Sequence, residues 1–264
     1  MFEGEKPGVP MKIGEKIEAL ELHMNLTGQS SVIYPALLWD SDRATLVDTG
    51  LPGQLDAIRR GIENAGVDFQ SIDRIVLTHQ DIDHIGGLPE ILRARGEEGI
   101  EVLAHEEDKP YIEGVKPLLK MNRERMAQTM ESLPESQRQQ LQRILSRPPS
   151  GKVDRTLNDG EELPLHGGIE VIHTPGHTPG HTPGHLSLFV KKVRLLIAGD
   201  ELRVEEGELV GPSEWATPDT EQASASLRKL TEYQIDYVLC YHGGFYGSAA
   251  YEKITQLSAT ASGG

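Results

Sequence analysis

What the chain lacks narrows its chemistry before any motif is read. Its 264 residues hold a single cysteine, Cys240, so no intrachain disulfide can form and nothing points to an oxidising compartment. Aromatic residues make up only 5%, which leaves few platforms for stacking single-stranded bases. Basic residues are also scarce: 26 Lys and Arg face 41 Asp and Glu, for a formal charge of −15. Polyphosphates are held mainly by Lys and Arg, so small neutral or weakly anionic substrates are expected and nucleic acid is not. No segment approaches the roughly 20 consecutive apolar residues of a spanning helix. The opening MFEGEKPGVPMKIGEKIEAL has no apolar run suited to a signal peptide. The expectation is a cytoplasmic protein with no membrane contact. There is no GxSxG elbow and no Gly-rich loop ending in GK[ST], which sets aside a serine triad and a P-loop.

What is present reads as a soluble globular chain, with 37% hydrophobic and 25% charged residues. Apolar runs at Lys16–Leu22, Ser31–Trp39, Arg43–Val47, Arg74–Thr78 and Ile100–Ala104 predict strands. Amphipathic stretches at Gln54–Ala65 and Leu88–Arg95 predict helices between them. Residues 108–150 change character: they are rich in Met, Gln, Arg and Glu, broken by Pro117 and Pro134. This helical insertion reads either as a lid over a site or as a surface helical pair. Strands resume at Gly168–Ile172, Leu186–Val190, Arg194–Ala198 and Tyr237–Cys240, with helices at Thr220–Glu232 and Ser248–Leu257. The tail, residues 258–264, is expected to be disordered. Alternating strands and helices around one insert predict a single layered α/β domain over residues 1–264.

The chemistry-bearing residues cluster where strands end. THQDIDHIGG (78–87) packs His79, Asp81, Asp83 and His84 behind an apolar strand. If the chain stays extended, 79, 81 and 83 share a face, His84 turns back, and Gly86 and Gly87 allow a tight exit. Two imidazoles and two carboxylates suit Zn²⁺, Fe or Mn²⁺. HTPGHTPGHTPGH (173–185) follows another strand, Asp200 closes a third in AGD, and His242 follows a fourth in CYHGG. Each has a bland reading alone; together they set His and Asp at four strand ends. His23, His166 and His173 have no constellation around them, and His105 in VLAHEED is read as structural.

These motifs, LVDTG (46–50), LTHQDIDHIGG (77–87), TPGHTPGH before LSLFV, IAGDEL (197–202) and CYHGG (240–244), resemble the metallo-β-lactamase fold superfamily in its glyoxalase II-like and lactonase-like hydrolase branch. The resemblance implies a four-layer αββα sandwich with two divalent ions, zinc foremost, along one sheet edge. It implies that one ion takes His79, Asp81 and a tract histidine, the other Asp83, His84 and His242, with Asp200 bridging and Asp48 supporting the ligand loop. Two departures stand out. Asp81 occupies the place of the family's second histidine, which tilts preference toward Fe or Mn, or leaves a site that works with one ion. The tract also carries an extra HTPG unit. Counting back from Leu186–Val190 gives His181 as ligand and His185 as its support; counting forward gives His177. His181 is preferred, because GHLSLFV keeps the entry to the next strand intact.

The implied activity is hydrolysis of an ester, lactone or thioester of a small molecule by metal-activated water, with Asp83 or Asp200 moving the proton. The alternative is a non-haem iron oxidoreductase, persulfide dioxygenase-like or oxygen or nitric oxide reductase-like, motivated by Asp81. A metal-dependent nuclease ranks third. The insertion could pack across a homodimer.

Overall fold

The computed structural model describes residues 11–24, 31–41, 43–96, 99–121, 130, 133–176, 183–211, 220–247 and 249–260. In the first half β1 (Met11–Gly14), β2 (Ile17–Ala19), the hairpin β3 (Leu22–Met24) and β4 (Ser31–Ile33), β5 (Ala36–Trp39) and β6 (Ala44–Val47) lead into helix α1 (Leu55–Asn64). Then come β7 (Ile72–Val76), α2 (Ile82–Ile85), α3 (Leu88–Arg95), β8 (Glu101–His105), α4 (Lys109–Ile112), α5 (Glu135–Ser146) and β9 (Arg155–Leu157). The second half holds β10 (Glu162–Leu163), β11 (Ile169–His173), β12 (Leu186–Val190), β13 (Leu195–Gly199), the hairpin β14 (Arg203–Glu205) and β15 (Glu208–Val210), α6 (Thr220–Leu230), β16 (Tyr237–Cys240), β17 (Gly244–Tyr246) and α7 (Ala250–Thr260).

Two mixed sheets result, a seven-stranded one ordered β1-β2-β5-β6-β7-β8-β9 and a six-stranded one ordered β10-β11-β12-β13-β16-β17. Successive side chains of a strand point to opposite faces, and here both faces are covered. Val47, Val76 and Leu103 of the first sheet pack with Leu188, Ile197 and Leu239 of the second, forming the layer between the sheets. Their neighbours Leu46, Ile75 and Val102 turn outward onto Ile58 and Ile62 of α1 and Leu88 and Ile91 of α3. On the far side Phe189, Leu196 and Val238 meet Leu227 and Leu230 of α6 and Ile254 of α7. The layers run helix, sheet, sheet, helix, as expected. This double burial explains why the strands read as unbroken apolar runs.

Within the insertion, Gly114 adopts φ +74°, Pro117 follows, and residues 113–121 form turns. Glu206 (φ +51°) and Gly207 (φ +83°) both take the left-handed conformation of a tight hairpin turn between β14 and β15. Two expectations change. The ligand loop does not stay extended through residue 83, since α2 starts at Ile82. The last helix continues to Thr260, into the expected tail, because Ser258 is buried and its hydroxyl donates to Thr255 O. Among the described residues no helix is long and apolar enough to cross a membrane.

Candidate metal centre

The parallel core strands of both sheets end on one side, and their ends carry the candidate residues: Asp48 after β6, the 78–84 loop after β7, Asp200 after β13 and His242 after β16. Asp48 adopts φ +64°, a conformation uncommon outside glycine. Its buried carboxylate accepts from Thr78 N–H (2.8 Å), Thr78 Oγ1 (2.8 Å) and His84 Nδ1 (2.9 Å). Those bonds fix the protons. A carboxylate only accepts, so His84 Nδ1 carries its hydrogen and Thr78 donates its own. The Thr78 oxygen also lies 3.1 Å from His79 Nδ1, while His79 Nε2 faces Asp81 Oδ2 at 3.0 Å. The lone pair of the neutral His84 imidazole therefore sits on Nε2.

The loop is held by close backbone approach. Thr49 N–H and Thr49 Oγ1 both donate to His84 O, at 2.7 and 2.8 Å. A Cβ on Gly87 would lie 2.2 Å from Thr49 O, and one on Gly86 2.4 Å from Pro52 Cδ. Both glycines have ordinary helical angles, so they are needed for space and not for a sharp turn as expected.

The ligand-type atoms converge. His84 Nε2 lies 3.3 Å from Asp200 Oδ1 and 3.9 Å from Asp83 Oδ2. His242 Nε2 lies 3.3 Å from Asp83 Oδ2 and 3.4 Å from Asp200 Oδ1, and His79 Nε2 lies 3.7 Å from Asp200 Oδ2. Within each of two triads, His79, His84 and Asp200, and Asp83, His84 and His242, one such atom per residue falls within 4.8 Å of the others. His84 Nε2 is buried with the Asp200 and Asp83 carboxylates as its polar neighbours, an environment that fits a donor atom facing an ion. The electrostatics agree. Burial disfavours charge on His84, yet Asp200, Asp48 and Asp83 outweigh it and raise its pKa well above the usual imidazole range. Burial also opposes charge on His242, but Asp200 and Asp83 push it up to about 10. A centre that drives protons onto buried imidazoles is one short of positive charge. The set suits a divalent ion.

His185 is spent differently. Asp200 N–H donates to its Nε2 at 3.0 Å, and its Nδ1–H reaches Thr174 Oγ1 at 2.8 Å. It positions the Asp200 backbone, with Gly199 (φ +57°) pressed beneath it. His177 and His181 lie outside the described residues. His173 does join a constellation, contrary to expectation: its ring stacks on His105 at 4.1 Å, with Glu107 beside them. Its Nε2 donates to Pro183 O at 2.6 Å, while His105 Nδ1 accepts from Glu107 N–H at 3.3 Å.

Lys120, the partner of Asp81, is one residue that sequence reasoning missed. Asp81 Oδ2 lies 3.0 Å from His79 Nε2 but 2.5 Å from Lys120 Nζ, which arrives from the insertion. Burial disfavours charge on Asp81, yet Lys120 and His79 hold its carboxyl far below the usual range. Asp108 is a second residue that sequence reasoning missed. Its buried carboxylate accepts from Gln80 N–H (2.8 Å) and Gly184 N–H (2.9 Å), bracing the ligand loop against the end of the histidine tract. Burial pushes it up to about 6 against the pull of His79 and those two amides. Tyr241 stacks on His84 at 3.8 Å and donates to Asp83 O. Only its place beside His242 hinted at that.

A model of the metallo-beta-lactamase superfamily matches residues 31–242, which spans the whole constellation. The chain belongs to the metallo-beta-lactamase superfamily. Within that superfamily it is 29% identical over 260 residues to "Probable metallo-hydrolase YflN" of Bacillus subtilis (strain 168), covering 90% of this chain and 89% of that one. The crystal structure of metallo-beta-lactamase family protein TTHA1429 from Thermus thermophilus superposes with a TM-score of 0.68 at 22% identity, over 94% of this chain and 79% of that one. BJP-1, a subclass B3 metallo-beta-lactamase of Bradyrhizobium japonicum, gives 0.63 at 23% identity, over 97% and 91%. The structural likenesses concern the fold.

Proposed function

We propose that the chain is a metal-dependent hydrolase that cleaves an ester, lactone or thioester of a small molecule with water as the nucleophile. The observation that carries this reading is the convergence of Asp83, His84, His242 and Asp200 around the buried Nε2 of His84. A divalent ion held there, zinc foremost, would supply a Lewis acid and a water of lowered pKa. The residues do the rest. Asp48 keeps a proton on His84 Nδ1 and so keeps Nε2 aimed at the ion. Asp83 remains partly exposed, with an oxygen 3.3 Å from His242 Nε2, and is placed to take the proton that the attacking water loses.

The single thiol is not available as a nucleophile in its stead. Cys240 is fully buried, and burial together with the nearby Asp200 charge raises its pKa well above the usual thiol range. The acidic chain also favours small substrates over polyphosphates. The test is a hydrolysis screen of lactones, thioesters and aryl esters on zinc- or manganese-loaded protein. His84→Ala and Asp200→Ala should each lose bound metal and at least about 100-fold in rate, the scale of removing one group from a reacting centre. Full activity in either variant with its metal gone would overturn the reading.

A further inference from the structure

We propose that the ammonium of Lys120 takes the place of a second ion in this centre, so that the chain keeps one resident divalent ion, at Asp83, His84, His242 and Asp200. The inference rests on the metal-dependent reading above and assigns the other half of the site.

Charge and geometry both point this way. The two-ion arrangement implied by the resemblance needs a donor at position 81, beside His79. Asp81 is 2% exposed at its side chain, and the oxygen it turns toward His79 Nε2 at 3.0 Å is the one Lys120 holds at 2.5 Å. An ammonium and a divalent ion cannot both sit against one carboxylate oxygen without strong repulsion. An aspartate in place of a neutral imidazole adds one negative charge, and Lys120 returns one positive charge. The Asp81–Lys120 pair is therefore neutral overall, and the carboxylate has no unbalanced charge left to offer a second ion.

The lysine is delivered by a built turn. Leu118 is buried among the first sheet and its helices, fixing the chain on one side. Leu119 N–H donates to Gln80 Oε1 at 2.9 Å, fixing it on the other. Consecutive insertion residues thus engage consecutive residues of the ligand loop: 119 meets Gln80, and 120 meets Asp81. The acids facing Lys120 are Asp81, Asp200 and Asp83, so its charge bears on the same carboxylates that surround the ion. About a third of the side chain stays exposed (36%), with the ammonium at the buried Asp81 carboxylate. That ammonium is a fixed positive charge for an anion that develops during hydrolysis.

The experiment is metal stoichiometry of the full chain by mass spectrometry of metals, after dialysis against zinc and removal of loosely held ions. Wild type should retain one ion per chain and Lys120→Met should retain two, while Lys120→Arg, which keeps the charge, should stay at one. Cooperative urea unfolding identifies variants that have folded. If Lys120→Met fails to fold, Lys120→Gln decides instead: it also removes the charge and should retain two ions, and a folded Lys120→Gln chain that retains one overturns the proposal. Two ions in wild type would overturn the proposal, as would one ion in a folded Lys120→Met chain. No ion in wild type would instead sink the metal-dependent reading itself.

Discussion

Asp48 does more than its place outside the centre suggests. One carboxylate, bonded to Thr78 and His84, sets the proton position of the His84 imidazole and so decides which of its nitrogens faces the centre. Asp48→Asn keeps the shape but replaces an acceptor-only group with one that also donates. Metal affinity is expected to fall by about 10- to 100-fold, the range seen for such outer partners; competition with a chromogenic chelator measures it, and unchanged affinity would contradict the role. His105 carries a second residue-scale prediction. Burial, helped by the nearby His173, pushes its pKa down from 6.5 to about 4. The unfolded chain therefore takes up this proton first on acidification. The stability tied to neutral His105 is complete above pH 6.5 and is lost as the pH falls toward 4. Between pH 7 and pH 5, wild type should lose about 1–2 kcal/mol more than His105→Phe in urea unfolding. Parallel losses would contradict it.

At the scale of elements, the ligand loop is legible in the sequence and its support is not. THQDIDHIGG declares its chemistry by composition, and LVDTG, AGD and CYHGG mark strand ends, because ligand residues and turn glycines are chemically distinctive. Asp108, Lys120 and Tyr241 carry no such mark: a Lys in a helical-looking insertion or a Tyr in a strand exit becomes significant only when distant loops meet. Even for the glycines the sequence suggests the wrong reason, since turn propensity is local and close approach is tertiary. Gly87→Ala tests that point. Its backbone angles suit alanine, yet the added Cβ meets Thr49 O at 2.2 Å. The expected loss is on the order of 3 kcal/mol, typical of overpacking against backbone, read from the urea midpoint. A neutral substitution would mean that the Asp48–Gly50 and Gly86–Gly87 segments are free to part.

For the whole molecule, the layer order follows from the sequence because two covered sheets require strands that are apolar on both faces, and these strands are. The same four layers leave four strand ends on one side, so Asp48, the 78–84 loop, Asp200 and His242, from segments far apart in sequence, meet at one site. Acidic residues dominate both the chain and the centre, which makes a bound cation a means of neutralising charge as well as of catalysis. The repeated HTPG units mark the tract without fixing its register, since each unit offers the same donor at the same spacing. The most direct measurement is anomalous scattering from crystals soaked in zinc or manganese. The strongest peak should lie among Asp83, His84, His242 and Asp200, within about 2.0–2.2 Å of their ligand atoms. Soaked crystals with no peak there, or with the ion bound elsewhere on the chain, would contradict a metal centre at these strand ends.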